Sequence, residues 1–184
     1  VIAETDVLVV GSGPGGLAAA ISSARTGVET LLIERYGCLG GNLTVVGVEG
    51  IAWYRREQTV DVEGIGIEFE QRAKEMGATS PEPQSKSEAI NAEMFKYVAD
   101  VLVAEAGVKV LLHSWVVDAI VEDDCIQGVI IHNKTGRQAI LAKRVIDCSG
   151  DADLAFYANA PWVKPPKEEM LPVTVMFSVI GVDR

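Results

Sequence analysis

Asp6-Val-Leu-Val-Val-Gly-Ser-Gly-Pro-Gly-Gly-Leu-Ala-Ala-Ala20 is the stretch from which the rest of the chain is read. The apolar run Asp6–Val10 stops at Gly11 and predicts a buried parallel strand. Gly11-Ser-Gly-Pro-Gly-Gly16 follows, and Leu17 to Thr26 is rich in alanine and serine and closes on Gly27. Proline in the first turn and glycine just past the end are helix start and stop signals, so a helix is predicted here. Glu29-Thr-Leu-Leu-Ile33 predicts a second strand. The first 34 residues therefore form a βαβ unit, and the fold class is α/β.

Each glycine of Gly11-x-Gly13-x-x-Gly16 has a physical job in that setting. Gly11 permits the tight turn, Gly13 lets the backbone approach a pyrophosphate, and Gly16 lets helix and strand pack closely. The helix N-terminus offers unpaired N–H groups and partial positive charge to that anion. Glu34 lies at the end of the second strand, eighteen residues beyond Gly16. It is placed to accept hydrogen bonds from both ribose hydroxyls of an adenosine, and its charge disfavours a 2′-phosphate, hence NADP. The bland alternative is a tight βα turn that holds no ligand.

Composition narrows the rest. Of 184 residues, 48% are hydrophobic and 23% charged, which suits a globular chain with its own core rather than a disordered one. Sixteen basic against 26 acidic residues give a net charge of −10, which argues against nucleic acid or an anionic membrane as partner. Cys38, Cys125 and Cys148 are widely spaced, with no CxxC and only two histidines, so a disulfide framework and a metal site are not expected. No apolar run reaches the roughly 18 residues of a membrane span. No basic-then-apolar leader opens the sequence, and a reducing, cytoplasmic setting is expected.

Further along, residues 37–62 are dense in glycine up to Gly50 and predict a long functional loop. Ile65, Phe69, Ala73 and Met76 recur at helical spacing, and Gly77 ends that helix. Ala78 to Ser87, with Pro81 and Pro83, predicts a surface loop. A longer helix is expected from Asn91 as N-cap to Ala106, with Met94, Tyr97 or Val98, Val101 and Leu102 facing inward. Val108–Leu112 predicts a third buried strand. Short strands about Val116–Val121, Ile126–His132 and Gln138–Leu141 form a β-meander at about 115–142, with a turn at Lys134-Thr-Gly136. Arg144–Cys148 is a further strand, ending at Ser149-Gly150-Asp151. From Pro161 prolines cluster, and Val173–Ile180 is expected to be the first strand of a second domain, so that residues 1–160 form the nucleotide domain.

Asp6 to Ala20, with Leu31-Leu-Ile-Glu-Arg35, resembles the FAD-binding start of the glutathione-reductase-like flavoproteins. Gly37-Cys-Leu-Gly-Gly-Asn-Leu-Thr44 resembles the second glycine loop of the FAD-dependent oxidoreductases, relatives of the fumarate reductase flavoprotein group. Residues 91–110 resemble that family's helix and strand before the adenine site, and Val145-Ile-Asp-Cys-Ser-Gly-Asp-Ala-Asp-Leu154 resembles its "DATGDGDL" turn. The resemblance implies a Rossmann-type domain with bound FAD. It places Gly11, Ser12, Gly13, Pro14 and Gly16 on the pyrophosphate, and Glu34 and Arg35 on the AMP ribose and adenine edge. Gly40, Gly41 and Asn42 would run along the pyrophosphate and ribityl chain, Val110 or a neighbour would meet adenine through its backbone, and Gly150 and Asp151 would close over the phosphates. The chain departs from the family in having Cys148-Ser149 where Ala-Thr is frequent; both pairs are small and uncharged.

No catalytic group stands out. Trp53, Tyr54, Arg55 and Arg56 follow the FAD loop, where the resemblance implies the substrate face; either arginine would clamp a substrate carboxylate, or all four are packing and solvated charge. Cys38 lacks the CxxxxC partner of the disulfide reductases, and His113 and His132 lack acid partners in the sequence. The expected function is two-electron or hydride transfer from a small organic substrate to flavin. An NAD-dependent dehydrogenase and a non-catalytic, flavin-bearing electron-relay subunit remain the alternatives. Because the apolar run near residue 180 has no successor strand, the chain is expected to be part of a larger whole, completed by a second polypeptide or by further chain.

Overall fold

The computed structural model describes residues 1–50, 55–56, 59–60, 63–82, 87–175, 177 and 179–181. Strand β1 (Ala3–Val10) leads into helix α1 (Pro14–Arg25) and strand β2 (Thr30–Ile33), the expected βαβ unit. Two short pieces, β3 (Arg55–Arg56) and β4 (Thr59–Val60), pair with each other ahead of helix α2 (Ile65–Glu75). Strands β5 (Thr79–Glu82) and β6 (Ser87–Ile90) come next, then helix α3 (Ala92–Glu105). Strand β7 (Lys109–Leu111) is followed by β8 (Trp115–Glu122), β9 (Cys125–Asn133) and β10 (Gly136–Asp147), and a short helix α4 covers Asp153–Tyr157.

Six strands form one mixed sheet in the order β7-β2-β1-β10-β9-β8. The first four run parallel, and β9 and β8 are antiparallel. Alternation along β1 divides the core. Val9 joins Leu17, Ile21, Leu32, Phe95, Val98 and Leu102 under the helices, where Phe69 meets Phe95 edge to face at 5.9 Å. Leu8 and Val10 join Ile33, Val116, Ile131, Ile140 and Leu154 on the other face. Both faces are covered, which is why β1 reads as a continuous apolar run.

Several expectations need correction. The meander is present as β8–β9–β10, but its third strand and the last parallel strand are one: Gln138–Leu141 and residues 144–147 both belong to the twelve-residue β10. Its first half pairs with β9, and its last eight residues run beside β1, from Ala3 opposite Ile140 to Val10 opposite Asp147. Val108–Leu112 is not a buried strand, because β7 is the sheet edge and Val110 is 38% exposed. Residues 78–87 are not all loop: β5 pairs with β6.

The inner face of α3 is rotated from the expected one. Met94 and Tyr97 are exposed, and Ala92, Phe95, Val98, Ala99, Leu102 and Val103 are buried. Glu93, Lys96 and Asp100 form a stripe on the opposite side, and the buried side packs against α1 and α2. Asn91 caps α3 as expected, its side-chain oxygen accepting from the Met94 amide at 2.9 Å.

Residues 161–181, where described, hold one 3-10 turn, Lys167–Glu169, and no strand. Leu171, Val173 and Ile180 lie almost fully in solvent. A strand needs a neighbour for its N–H and C=O groups, and no described strand lies alongside this run.

Candidate functional site

The glycine loop is built by close approach. Gly11 has φ +92°, and a Cβ there would sit 2.4 Å from the Cys148 carbonyl oxygen; one on Gly16 would sit 1.8 Å from the Gly11 carbonyl oxygen. A methyl group added at Gly13 or Gly15, by contrast, would meet nothing within 4 Å. Gly13 is the N-cap of α1, with extended backbone and no side-chain cap. The first-turn amides of α1 are therefore left to solvent or to a ligand, at the positive end of the helix and beside open space.

Glu34 stands at the end of β2, only 5% exposed. Its Oε2 accepts from the Ser12 amide at 2.9 Å and the Ser12 hydroxyl at 2.6 Å, and its Oε1 accepts from the Tyr36 amide at 2.8 Å. The carboxylate is thereby oriented, and Oε1, with a single donor, keeps lone-pair capacity. The second glycine loop closes on the first. The Gly40 amide donates to the Ser12 carbonyl at 3.0 Å, and a Cβ on Gly41 would lie 2.6 Å from the Gly13 Cα.

These elements border one cleft of about 660 Å³. Of the residues expected at a cofactor, Gly11, Ser12, Gly13, Pro14, Gly16, Glu34, Arg35, Gly41, Asn42 and Gly150 line it. Gly40, Val110 and Asp151 are not in its lining; Gly40 lies behind Gly41, and Val110 sits out on the edge strand. Ser12 lines the cleft, but its hydroxyl points at Glu34. Trp53 and Tyr54 lie outside the described residues, as do the side chains of Arg55 and Arg56.

Sequence reasoning missed Tyr36, Ser114, Trp115, Val116 and Asp147, all in the lining. The Arg35 guanidinium lies 4.8 Å from the Tyr36 ring centre and 5.6 Å from that of Trp115, a cationic and aromatic rim at the Glu34 end. Trp115 is in reach because β8 starts directly after the Ser114 amide bonds the Glu34 carbonyl at 3.0 Å. The one available signal was an aromatic residue opening a strand soon after the third βα unit. Burial, and secondarily the Asp147 charge, pushes the Cys148 thiol up from its ordinary range. Among the described residues no group of three His, Cys, Asp or Glu could hold a metal ion, and no helix is long and apolar enough to cross a membrane.

Residues 6–184 match the family model described as FAD dependent oxidoreductase. The chain belongs to the FAD-dependent oxidoreductase family. Thiamine thiazole synthase of Methanococcus maripaludis strain C7 is 32% identical over 169 residues, covering 86% of this chain and 61% of that protein. The Methanococcus vannielii enzyme of the same name is 34% identical over 159 residues, covering 80% and 56%. This family member thus spans about three fifths of the length of those curated relatives.

Among solved structures, Thermovibrio ammonificans THI4 superposes with a TM-score of 0.61 at 23% identity, over 84% of this chain and 61% of that one. A geranylgeranyl bacteriochlorophyll reductase-like protein from Thermoplasma acidophilum gives 0.59 at 23%, over 85% and 42%. Both confirm the Rossmann-type fold. FAD is the cofactor of this flavoprotein family. The residues present fit it, because the open space beyond Gly13 and Gly15 faces unpaired helix amides, and Glu34 stands at the end of the neighbouring strand.

Proposed function

We propose that this chain is the flavin-binding part of an oxidoreductase that takes two electrons from a small organic substrate. FAD supplies the electron acceptor, at its N5 position. The residues assigned to it are Gly11, Ser12, Gly13, Pro14 and Gly16 around the pyrophosphate, and Glu34 and Arg35 at the ribose and adenine edge. Gly40, Gly41 and Asn42 run toward the flavin, and Gly150 and Asp151 lie over the phosphates. The observation that carries this reading is the open space at Gly13, at the foot of α1 in the cleft that Glu34 also borders.

The roles divide by chemistry. The α1 amides bind the anion, the Gly40–Gly41 loop keeps the first glycine loop in place, and Glu34 accepts from ribose hydroxyls through charge-assisted hydrogen bonds. Ser12 takes an indirect part by orienting Glu34. Val110 in β7 stays a proposal for adenine only through a neighbour, since Trp115 and Val116 are the residues of the next strand that line the cleft. Tyr54, Arg55 and Arg56 remain the proposed substrate side.

Thiazole formation is a second reading, favoured by identity to thiamine thiazole synthases along 86% of the chain. The apolar run 171–181, so exposed here, is proposed as the surface on which a second polypeptide or further chain completes the substrate site.

The test is absorbance of the purified protein, with flavin bands near roughly 370 and 450 nm expected from the cofactor. A colourless protein that takes up NAD but not FAD would overturn the proposal. Arg55→Ala and Arg56→Ala should raise KM or lower turnover with an unchanged flavin spectrum; full activity in both would remove these arginines from the site. Native mass spectrometry would show whether a second chain accompanies the flavin.

A further inference from the structure

Asp147 ends β10 and lines the cleft, an odd place for an acid in a site read as binding a pyrophosphate. Its two oxygens are both turned onto backbone. Oδ1 accepts from the Ser149 amide at 3.0 Å, and Oδ2 accepts from the Ala155 amide at 3.0 Å. The Ser149 hydroxyl in turn accepts from the Asp153 amide at 2.9 Å. Helix α4 begins after Ala152, which sits in the left-handed region (φ 58°, ψ 38°) and supplies no cap of its own. Its first-turn amides are capped from upstream, by Asp147 and Ser149, and this holds a conformation that alanine adopts at a cost.

The clamp has a result at the cleft. With residues 149 and 155 tied to one carboxylate, the turn between them is set against the glycine loop, where the Cys148 amide bonds the Val10 carbonyl at 2.8 Å. Among the described residues nothing accepts from the Gly150 and Asp151 amides, and Gly150 borders the cleft. The Asp147 charge is meanwhile engaged by amides instead of facing an anion.

We propose that Asp147 is a positioning residue for the cofactor: it fixes the Ser149–Ala152 turn so that the free amides there face the FAD phosphates. This rests on the FAD reading above. No other residue of the cleft holds a segment at both ends in this way, with the exception of Glu34, whose carboxylate ties Ser12 to Tyr36.

The test compares wild type, Asp147→Asn and Asp147→Ala, each stripped of flavin and titrated with FAD by fluorescence quenching. Amide hydrogen exchange at Ser149 and Ala155 and urea unfolding of the stripped proteins are followed in parallel. Asp147→Ala should raise the FAD dissociation constant by about tenfold or more and unprotect both amides. Asp147→Asn keeps one acceptor oxygen, so it should unprotect one amide and weaken FAD by less. Should Asp147→Ala fail to fold, the asparagine variant alone decides. FAD bound equally well by a variant whose amides are unprotected, or amides that stay protected in both variants, would overturn the proposal. Wild type that binds no FAD would instead overturn the FAD reading itself.

Discussion

Along residues 11–16 the cleft wall turns where only glycine fits, whereas along residues 147–155 it turns where side chains hold it. At Gly11 and Gly16 the backbone of one segment occupies the volume that a Cβ would need. At Ser149–Ala152 the chain bends through Gly150 (φ +97°) and Ala152 with no such crowding at the glycine, and Asp147 supplies the restraint. The first wall is rigid through sterics, Gly16 crowded by Gly11 within the βαβ unit and Gly11 by Cys148 at the end of β10. The second is rigid through hydrogen bonds, and it reaches the first only because β10 pairs with β1.

The largest effect that would break this contrast is expected at Gly16. Gly16→Ala puts a methyl group into the Gly11 carbonyl and should cost roughly 3–4 kcal/mol or prevent folding, read as the urea midpoint. A wild-type midpoint would mean that the first wall is not sterically set. Gly13→Ala sharpens the same wall from its open side. Its backbone needs no glycine (φ −60°) and its Cβ meets nothing, so stability should stay within about 0.5 kcal/mol of wild type. FAD affinity should nevertheless fall by about tenfold or more, since the methyl enters the space assigned to the pyrophosphate. An unchanged affinity would place the cofactor elsewhere.

Glu34→Ala should then cost about 1–3 kcal/mol of FAD affinity through lost charge-assisted hydrogen bonds. Its readout is the FAD titration, corrected for the stability lost when Ser12 and Tyr36 lose their acceptor. A smaller effect separates the second wall from the outer surface. Cys125 is exposed and Cys148 is half-buried with its thiol pushed up by burial, so iodoacetamide near neutral pH should modify Cys125 well before Cys148. Equal rates would show the turn after β10 to be open.

The smallest effect belongs to neither wall. The Lys143 ammonium holds the Asp6 carboxyl below its ordinary value, and Arg25 does the same for Glu68. A lowered carboxyl contributes stability above its unfolded pKa and loses it as pH falls through the folded value. Thermal midpoints should therefore hold from pH 7 down to about 5 and then decline below about 4, with salt reducing the loss.

How much was legible in advance depended on how local each interaction is. The strand, glycine loop, helix, second strand and Glu34 lie within 34 residues, and their signals are backbone requirements that residue identity reports directly. Asn91 as the cap of α3 was legible for the same reason. The face of α3 was not plain from its apolar residues, because Met94, Tyr97 and Val101 lie beside the buried set; the stripe Glu93, Lys96 and Asp100 marks the outer side. Nor was the union of Gln138–Leu141 with residues 144–147, because the polar residues Lys143 and Arg144 mimic a break but stand exposed within a continuous strand.

The sequence by itself determined the βαβ unit, the glycine loop at the helix start and the acid at the second strand's end, because each depends on neighbours a few residues away. The tertiary structure alone decided that Trp115 and Asp147 border the same cleft. Trp115 arrives through the link from Ser114 to Glu34, and Asp147 through the parallel pairing of β10 with β1, Val10 standing opposite Asp147. Contacts between residues so far apart in the chain are set by how the strands assemble, and register is a property of the assembled strands rather than of any one of them.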